Sequence, residues 1–323
     1  MESLDGTPKM TKPPTPTAAP EAPIVLAPKV AEPKAHVESL LTQLSQRDDL
    51  KPHWMFIETL KTAAIKGGHN LFSCNVSGTK VALKGMDYPT ASPELRADFI
   101  RAIHDIKTVT SPHVTSLEGV CLMNFQTRLC AVSEFMDKGS LGSALVDAAF
   151  VLSPAQQRDM CLQMALGLQY IHDGRRAPFG HLTSEKVLVN SRFECKLNVF
   201  ELMKTEYLDS RACTTSFGAF ETPYQAPELR RVAPAPYTLA TDVYALGVLM
   251  AEVFARERPC KAVYAERGLV GGDLHLYAHV DTPAFPLDAV PADIAAIVRQ
   301  CWARNPAARP TVATIVNALR PTS

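Results

Sequence analysis

The chain reads as an α+β protein of two lobes, a small strand-rich one followed by a larger helical one, and three observations predict it. Short apolar runs bounded by turn residues occupy roughly residues 54 to 135. Helical periods take over from Ser140 onward. One stretch, Thr241 to Phe254 (TDVYALGVLMAEVF), is apolar nearly all round, as a helix at the centre of a domain must be. With 323 residues, 46% hydrophobic and 20% charged, the chain is long enough for two lobes with their own cores.

The elements follow in order. Residues 1–36 hold eight of the 25 prolines and no aromatic residue, so they bury too little surface to offset ordering entropy and are expected to be a disordered tail. In residues 37–53, Val37, Leu40, Leu41 and Leu44 recur at helical spacing and predict a short amphipathic helix, then a linker, packed on the domain behind it. In the first lobe, Lys80-Val81-Ala82-Leu83-Lys84 follows a Ser77-Gly78 turn, and Leu129-Cys130-Ala131-Val132 forms a second strand-like run. Between them Pro93 to Val109 predicts a helix with Leu95, Phe99, Ile103 and Ile106 on one face. In the second lobe Ser153-Pro154 opens a helix in which Met160, Cys161, Met164, Ala165 and Leu168 keep the period.

Charge and cysteine usage narrow the function classes. Lysine plus arginine equals aspartate plus glutamate, 33 against 33, so no global field draws the chain to nucleic acid or to anionic lipid. The eight cysteines are scattered without C-x-x-C spacing, which argues against a zinc site or a disulfide framework and suits a reducing interior. The N-terminal apolar run Ile24-Val25-Leu26 is cut off by Pro23 and Pro28, and no stretch approaches the ~20 apolar residues of a membrane span. A cytoplasmic protein is expected.

From Trp54 to Leu319 the order of elements and several short motifs resemble the protein kinase fold, with phrases around the central and last helices that look like its tyrosine-kinase-like branch. VALK at 81–84 is similar to the family's strand whose lysine pairs with the ATP phosphates. APE at 226–228, DVYALG at 242–247 and CWARNPAARP at 301–310 follow at kinase-like intervals. The resemblance implies a bilobal protein-kinase-like domain over residues 54–320, its N-lobe about 54–135 and its C-lobe about 137–320. It further implies three architectural groups: Glu228 in a buried ion pair with Arg309, and Asp242 holding the backbone of the catalytic loop.

The polar groups that phosphoryl transfer requires are missing from the aligned positions. Where the family has H-R-D-L-x-x-x-N, this chain has Phe179-Gly180-His181 and, at the asparagine, Lys186. The base position is therefore His181. The magnesium-binding D-F-G is matched by Val199-Phe200-Glu201, in which an apolar side chain replaces the metal ligand. Ala102 stands where a helix glutamate would pair with Lys84, Asp105 being the nearest substitute carboxylate. Ala64, Lys66 and His69 stand at the three glycines of the phosphate loop, with Gly67-Gly68 adjacent.

The packing positions are kept. Ile106, Leu117, Phe179 and Phe200 match the apolar column that links the lobes in the family, and Leu71, Ala82 and Leu188 fall where adenine is sandwiched. By the same resemblance Glu134 and Met136 join Lys84 and Lys186 among the candidate cofactor-binding residues, which leaves room for ATP. The metal positions are held by Lys186 and Val199, so metal dependence is not expected. Residues 202–225 match the activation segment and carry Thr205, Tyr207, Ser210, Thr214, Thr215 and Ser216, possible acceptors of phosphate from another kinase. The sequence thus predicts a pseudokinase that acts as allosteric partner or scaffold for other signalling proteins, an active kinase among them, with no nucleic acid and no membrane. An active atypical Ser/Thr kinase that transfers the γ-phosphate of ATP, and a nucleotide-sensing switch without turnover, stay open as rivals.

Overall fold

A computed structural model describes residues 42–55, 63–64, 71–123, 128–203, 222–230, 236–257, 259 and 287–321. The tail at 1–36, the phosphate-loop positions Lys66 and His69, and the six hydroxyls at 205–216 lie outside these residues.

Five antiparallel strands form the small lobe: β1 (Ala63–Ala64), β2 (Leu71–Val76), β3 (Thr79–Asp87), β4 (Leu117–Met123) and β5 (Arg128–Glu134), in the spatial order β1-β2-β3-β5-β4. The β2–β3 register pairs Val76 with Thr79, so Ser77-Gly78 is a two-residue hairpin loop. Both residues have positive φ, 48° and 84°, the backbone that matches the right-handed twist of the flanking strands.

Helix α1 (Pro93–Lys107) starts at Ser92, whose side chain accepts from Leu95 N, with Pro93 in the first turn. It stops two residues short of the predicted Val109: Thr108 caps it, and Val109 N turns back to Ile106 O in a tighter bond. The buried face carries Phe99, Ile103 and Ile106 as predicted, and Ala102 as well, while Leu95 is half-buried. Residues 42–45 are helical, and Leu44 and Leu50 are buried in the same core. Met55 N then donates to Val120 O at 2.8 Å, so residues 42–55 are built onto the small lobe.

In the large lobe β6 (Gly139–Ser140), β7 (Val187–Val189) and β8 (Cys195–Leu197) make a small sheet, and α2 (Leu141–Val146) follows β6 directly. Helix α3 (Pro154–Arg175) opens with a capping box of Ser153 and Gln156, and α4 (Leu239–Ala255) with one of Thr238 and Thr241. Every residue of α4 from Thr241 to Phe254 is buried. Helices α5 (Ala292–Cys301) and α6 (Val312–Leu319) complete the lobe. Gly247 of α4 lets α5 approach so closely that a Cβ there would lie 2.6 Å from Cys301 Cβ.

Polar contacts fix the junction between the lobes. Thr115 N donates to Leu197 O and Leu197 N to His113 O, both at 2.9 Å, so the loop before β4 is stitched to β8. Lys196 Nζ lies 3.0 and 2.8 Å from the two oxygens of Glu134, which also accepts from Ser116 N. Among the described residues no helix is long and apolar enough to cross a membrane.

Candidate nucleotide cleft

The cleft between the lobes is walled by alternation. On β3, Val81 and Leu83 are buried while Ala82 and Lys84 are half-buried, and on β7, Val187 and Val189 are buried while Leu188 is half-buried. A period of two thus leaves Ala82 and Lys84 of one lobe and Leu188 of the other partly accessible. Leu71, opposite Lys84 in the register, is also half-buried. Met136 is buried, and its carbonyl accepts from Gly139 N. The Glu134 carboxylate is held by Lys196 and Ser116, its N–H donates to Ser116 O at 3.3 Å, and its carbonyl takes Ser133 Oγ at 3.0 Å.

Lys84 Nζ donates to the Phe200 carbonyl at 3.3 Å. Ala102, at the glutamate position of α1, is packed in the core, and Asp105 is half-exposed, 3.9 Å from Arg175. Asp105 points toward the large lobe's α3 because it lies one turn beyond Ala102 and off the buried stripe of α1.

The catalytic-loop equivalent is shaped from beneath. Asp242, buried in α4, accepts from Phe179 N at 2.6 Å and Gly180 N at 3.0 Å, and meets His172 Nε2 at 2.9 Å. Gly180 and His181 then take successive left-handed conformations, φ 68° and 45°. A histidine held there is unusual, and the ring contacts account for it: His181 Nδ1 lies 2.8 Å from Tyr237 Oη, with the rings 4.3 Å apart. The imidazole at the base position is therefore oriented by Tyr237.

At the metal positions, Val199 is fully buried and its N–H donates to Thr115 Oγ1 at 2.9 Å. Asn198 Oδ1 accepts from Phe200 N and starts the single 3₁₀ turn Val199–Met203. That turn delivers Glu201 Oε2 to 3.1 Å from Lys186 Nζ, in a partly buried ion pair. Magnesium needs convergent oxygen ligands, and this set supplies a buried methyl pair, an ammonium, and a carboxylate already matched by that ammonium. The residues present do not fit a divalent cation, and no cluster of three metal-ligating side chains occurs among the described residues.

The architectural groups are fully engaged. Arg309 donates to both oxygens of Glu228, at 2.6 and 2.8 Å, and to the carbonyls of Ala303 and Ala240. Ile106, Phe179 and Phe200 are buried in one core cluster with Leu117 packed against it.

Two features escaped the sequence reading. Tyr237 carries no motif. The other is a buried triad in which Ser184 Oγ reaches Glu252 at 2.9 Å and Tyr224 Oη, also 2.9 Å from Ser184 Oγ, donates to the second oxygen of Glu252 at 2.6 Å. Its signal was readable: Glu252 is a carboxylate inside a helix apolar on all sides, and such a group must be partnered.

Strand-rich lobe, helical lobe, and a cleft roofed by a β3 lysine define a bilobal kinase fold. The model for the family of protein tyrosine and serine/threonine kinases matches residues 59–319, and the chain belongs to that family. It is similar to serine/threonine-protein kinase CTR1 of Arabidopsis thaliana, 28% identical over 256 residues, which cover 76% of this chain and 29% of that protein. Ephrin type-B receptor 1-A of Xenopus laevis is 27% identical over 235 residues, 71% of this chain and 23% of the receptor. Probable serine/threonine-protein kinase drkC of Dictyostelium discoideum is 26% identical over 230 residues, 69% of this chain and 29% of its own. The chain spans less than a third of the length of these relatives.

Proposed function

We propose that this chain is a catalytically silent member of the kinase family, a pseudokinase that works as allosteric partner or scaffold for another signalling protein. The observation that carries the reading is the state of the metal positions: Val199 is buried and apolar, and Lys186 is tied to Glu201 at 3.1 Å. Phosphoryl transfer depends on cations that neutralise charge developing on the transferred group, and a lone base such as His181 supplies a smaller part of the rate. His181 itself is bound up with Tyr237. The intact frame, from Asp242 to the Glu228–Arg309 pair, supports a protein kept for its shape.

A neutral overall charge and the free, buried cysteines among the described residues support a cytoplasmic partner of proteins, not of nucleic acid or lipid. The test is transfer of labelled phosphate from ATP, with magnesium and with manganese, to protein substrates and to the chain itself. No transfer that depends on Lys84 is expected. Turnover near the ~1–100 s⁻¹ of ordinary kinases that vanishes in Lys84→Ala overturns the reading.

A further inference from the structure

We propose that the groove between residues 42–55 and α1 binds a phosphate monoester carried on an apolar body, with Arg96 as its anchor. A phosphorylated tyrosine side chain of another protein and a small aryl phosphate share this chemistry. The inference goes beyond the silence of the cleft and does not rest on it.

The groove follows from the helix period. Arg96, Ile100 and His104 make one row on α1 and Pro93, Ala97 and Arg101 the next, and with Arg47 and Asp49 of the preceding segment they line about 500 Å³. Arg47 and Asp49 stand before residues 59–319, so this wall lies outside the part of the chain that the family's model matches. Three arginines and one carboxylate line the space. The carboxylate, Asp49, is taken by Arg47 at 3.0 and 2.7 Å, with His104 Nε2 3.5 Å away. Arg101 pairs with Asp98 at 2.6 Å while 68% of its side chain stays exposed. Arg96 has no such partner: it donates to Pro89 O at 2.7 Å and lies 4.8 Å over the Tyr88 ring, and among the described residues no carboxylate pairs with it. Its Nε is buried without an acceptor.

A guanidinium fixed by one carbonyl and one ring is a prepared anion contact. The Tyr88-Pro89 turn already holds Arg96 in place, so little side-chain freedom is lost when a ligand arrives, and the planar fork of N–H donors matches phosphate oxygens. A phosphate monoester brings about −1.5 to −2 charges at neutrality to a lining in which cations outnumber the carboxylate. The exposed pair of Arg101 is worth little, so this side chain can turn to the phosphate at small cost. Pro93 and Ala97 are exposed and Ile100 is buried beneath them, which gives the ligand an apolar wall. The volume falls in the ~300–1,000 Å³ range of organic-ligand sites, so a bare phosphate leaves most of it empty.

Calorimetric titration of the full chain tests the proposal, with phenyl phosphate, inorganic phosphate, phenol, and a short alanine-flanked phosphotyrosine peptide. Phenyl phosphate is expected to bind more tightly than inorganic phosphate, and phenol not to bind. Either source supports the site: a peptide tighter than phenyl phosphate assigns it to a protein partner, and a weaker one to a small molecule. Arg96→Met should weaken phenyl phosphate by about tenfold, the size of one lost charged contact, and Arg101→Met by less. Asp49→Asn should tighten it several-fold by removing the competing carboxylate. Arg192→Ala, 75% exposed in the large lobe, and Lys84→Ala, in the cleft, should leave it unchanged. Unliganded melting temperatures check that each variant is folded. Absence of phenyl phosphate binding at millimolar concentration, inorganic phosphate binding as tightly, equal affinity in folded Arg96→Met, or loss in Lys84→Ala overturns the inference. Should Arg96→Met fail to fold, unchanged affinity in both Arg101→Met and Asp49→Asn overturns it.

Discussion

The base of the large lobe and the floor of the cleft both hold lysine or arginine beside a glutamate, and the two pairs differ in what surrounds them. Arg309 is fully buried and spends its donors on Glu228 in a bidentate bond and on two carbonyls, and its plane lies over the Tyr244 ring. Lys186 and Glu201 stand 3.1 Å apart, with 25% and 14% of their side chains exposed. The first pair is sealed in the frame and the second is partly open to solvent. In a kinase fold the groups that hold the shape and those that move phosphate are therefore separable, because the first sit in the core and the second line a solvent-facing cleft.

The comparison breaks first, and by the largest effect, at the frame. Glu228→Ala or Arg309→Ala leaves a charge buried without its partner, and each is expected to cost about 3–5 kcal/mol. Urea denaturation midpoints measure this. Wild-type midpoints in both variants would mean that the pair is no more structural than the one in the cleft.

Asp242 should come next. As a carboxylate it accepts from Phe179 N and Gly180 N and meets His172, and an amide presents only one acceptor oxygen to two backbone donors. Asp242→Asn is expected to lose about 1.5–3 kcal/mol, the worth of one charge-assisted bond. Because the loop it anchors carries His181 in a left-handed conformation, amide exchange at residues 179–181 should accelerate by more than the global loss explains. Uniform acceleration across the lobe would assign Asp242 to general stability alone.

The cleft pair sharpens the contrast from the other side. Lys186→Met and Glu201→Gln are each expected to change stability by about 1 kcal/mol or less, since a partly exposed ion pair gains little over its hydration. The double mutant should show a coupling of the same small size. A coupling that rivals the frame pair would make Lys186–Glu201 a structural lock rather than an exchangeable contact.

How much of this was legible follows the same division. The lobes, the face of α1 carrying Phe99, Ile103 and Ile106, the buried α4 and the hairpin at Ser77-Gly78 could be read, because periodicity and turn chemistry are local properties. Partners could not. Whether Lys186 would meet Glu185, Glu201 or solvent depended on Asn198 winding residues 199–203 into a 3₁₀ turn, which sets Glu201 toward the lysine. Asp105 was a candidate for Lys84 by spacing along α1, and the register of α1 against α3 gave it to Arg175. Tyr237 reaches His181 across 56 positions, a contact no local pattern announces.

The smallest expected effect lies outside both regions, where residues 42–55 meet α1, and it concerns pH. Arg47 holds Asp49 through two side-chain bonds, at 3.0 and 2.7 Å, and His104 of α1 stands 3.5 Å from the same carboxylate. The hydrogen bonds from Arg47 draw the Asp49 carboxyl down from 3.8 to about 2. A carboxylate whose pKa is lower in the folded chain adds stability that is complete above the unfolded value and is lost as the pH falls through the folded one. The window is therefore about pH 4 down to about pH 2, with the contribution whole at neutrality. The full shift overstates its worth, because the Arg47 side chain is 43% exposed and water screens the pair, so about 0.5 kcal/mol remains. Asp49→Asn should lower the urea midpoint slightly at pH 7, the difference from the unaltered chain should begin to shrink near pH 4, and molar salt should shrink it at any pH. A difference that grows on acidification would show that Asp49 does not act through Arg47.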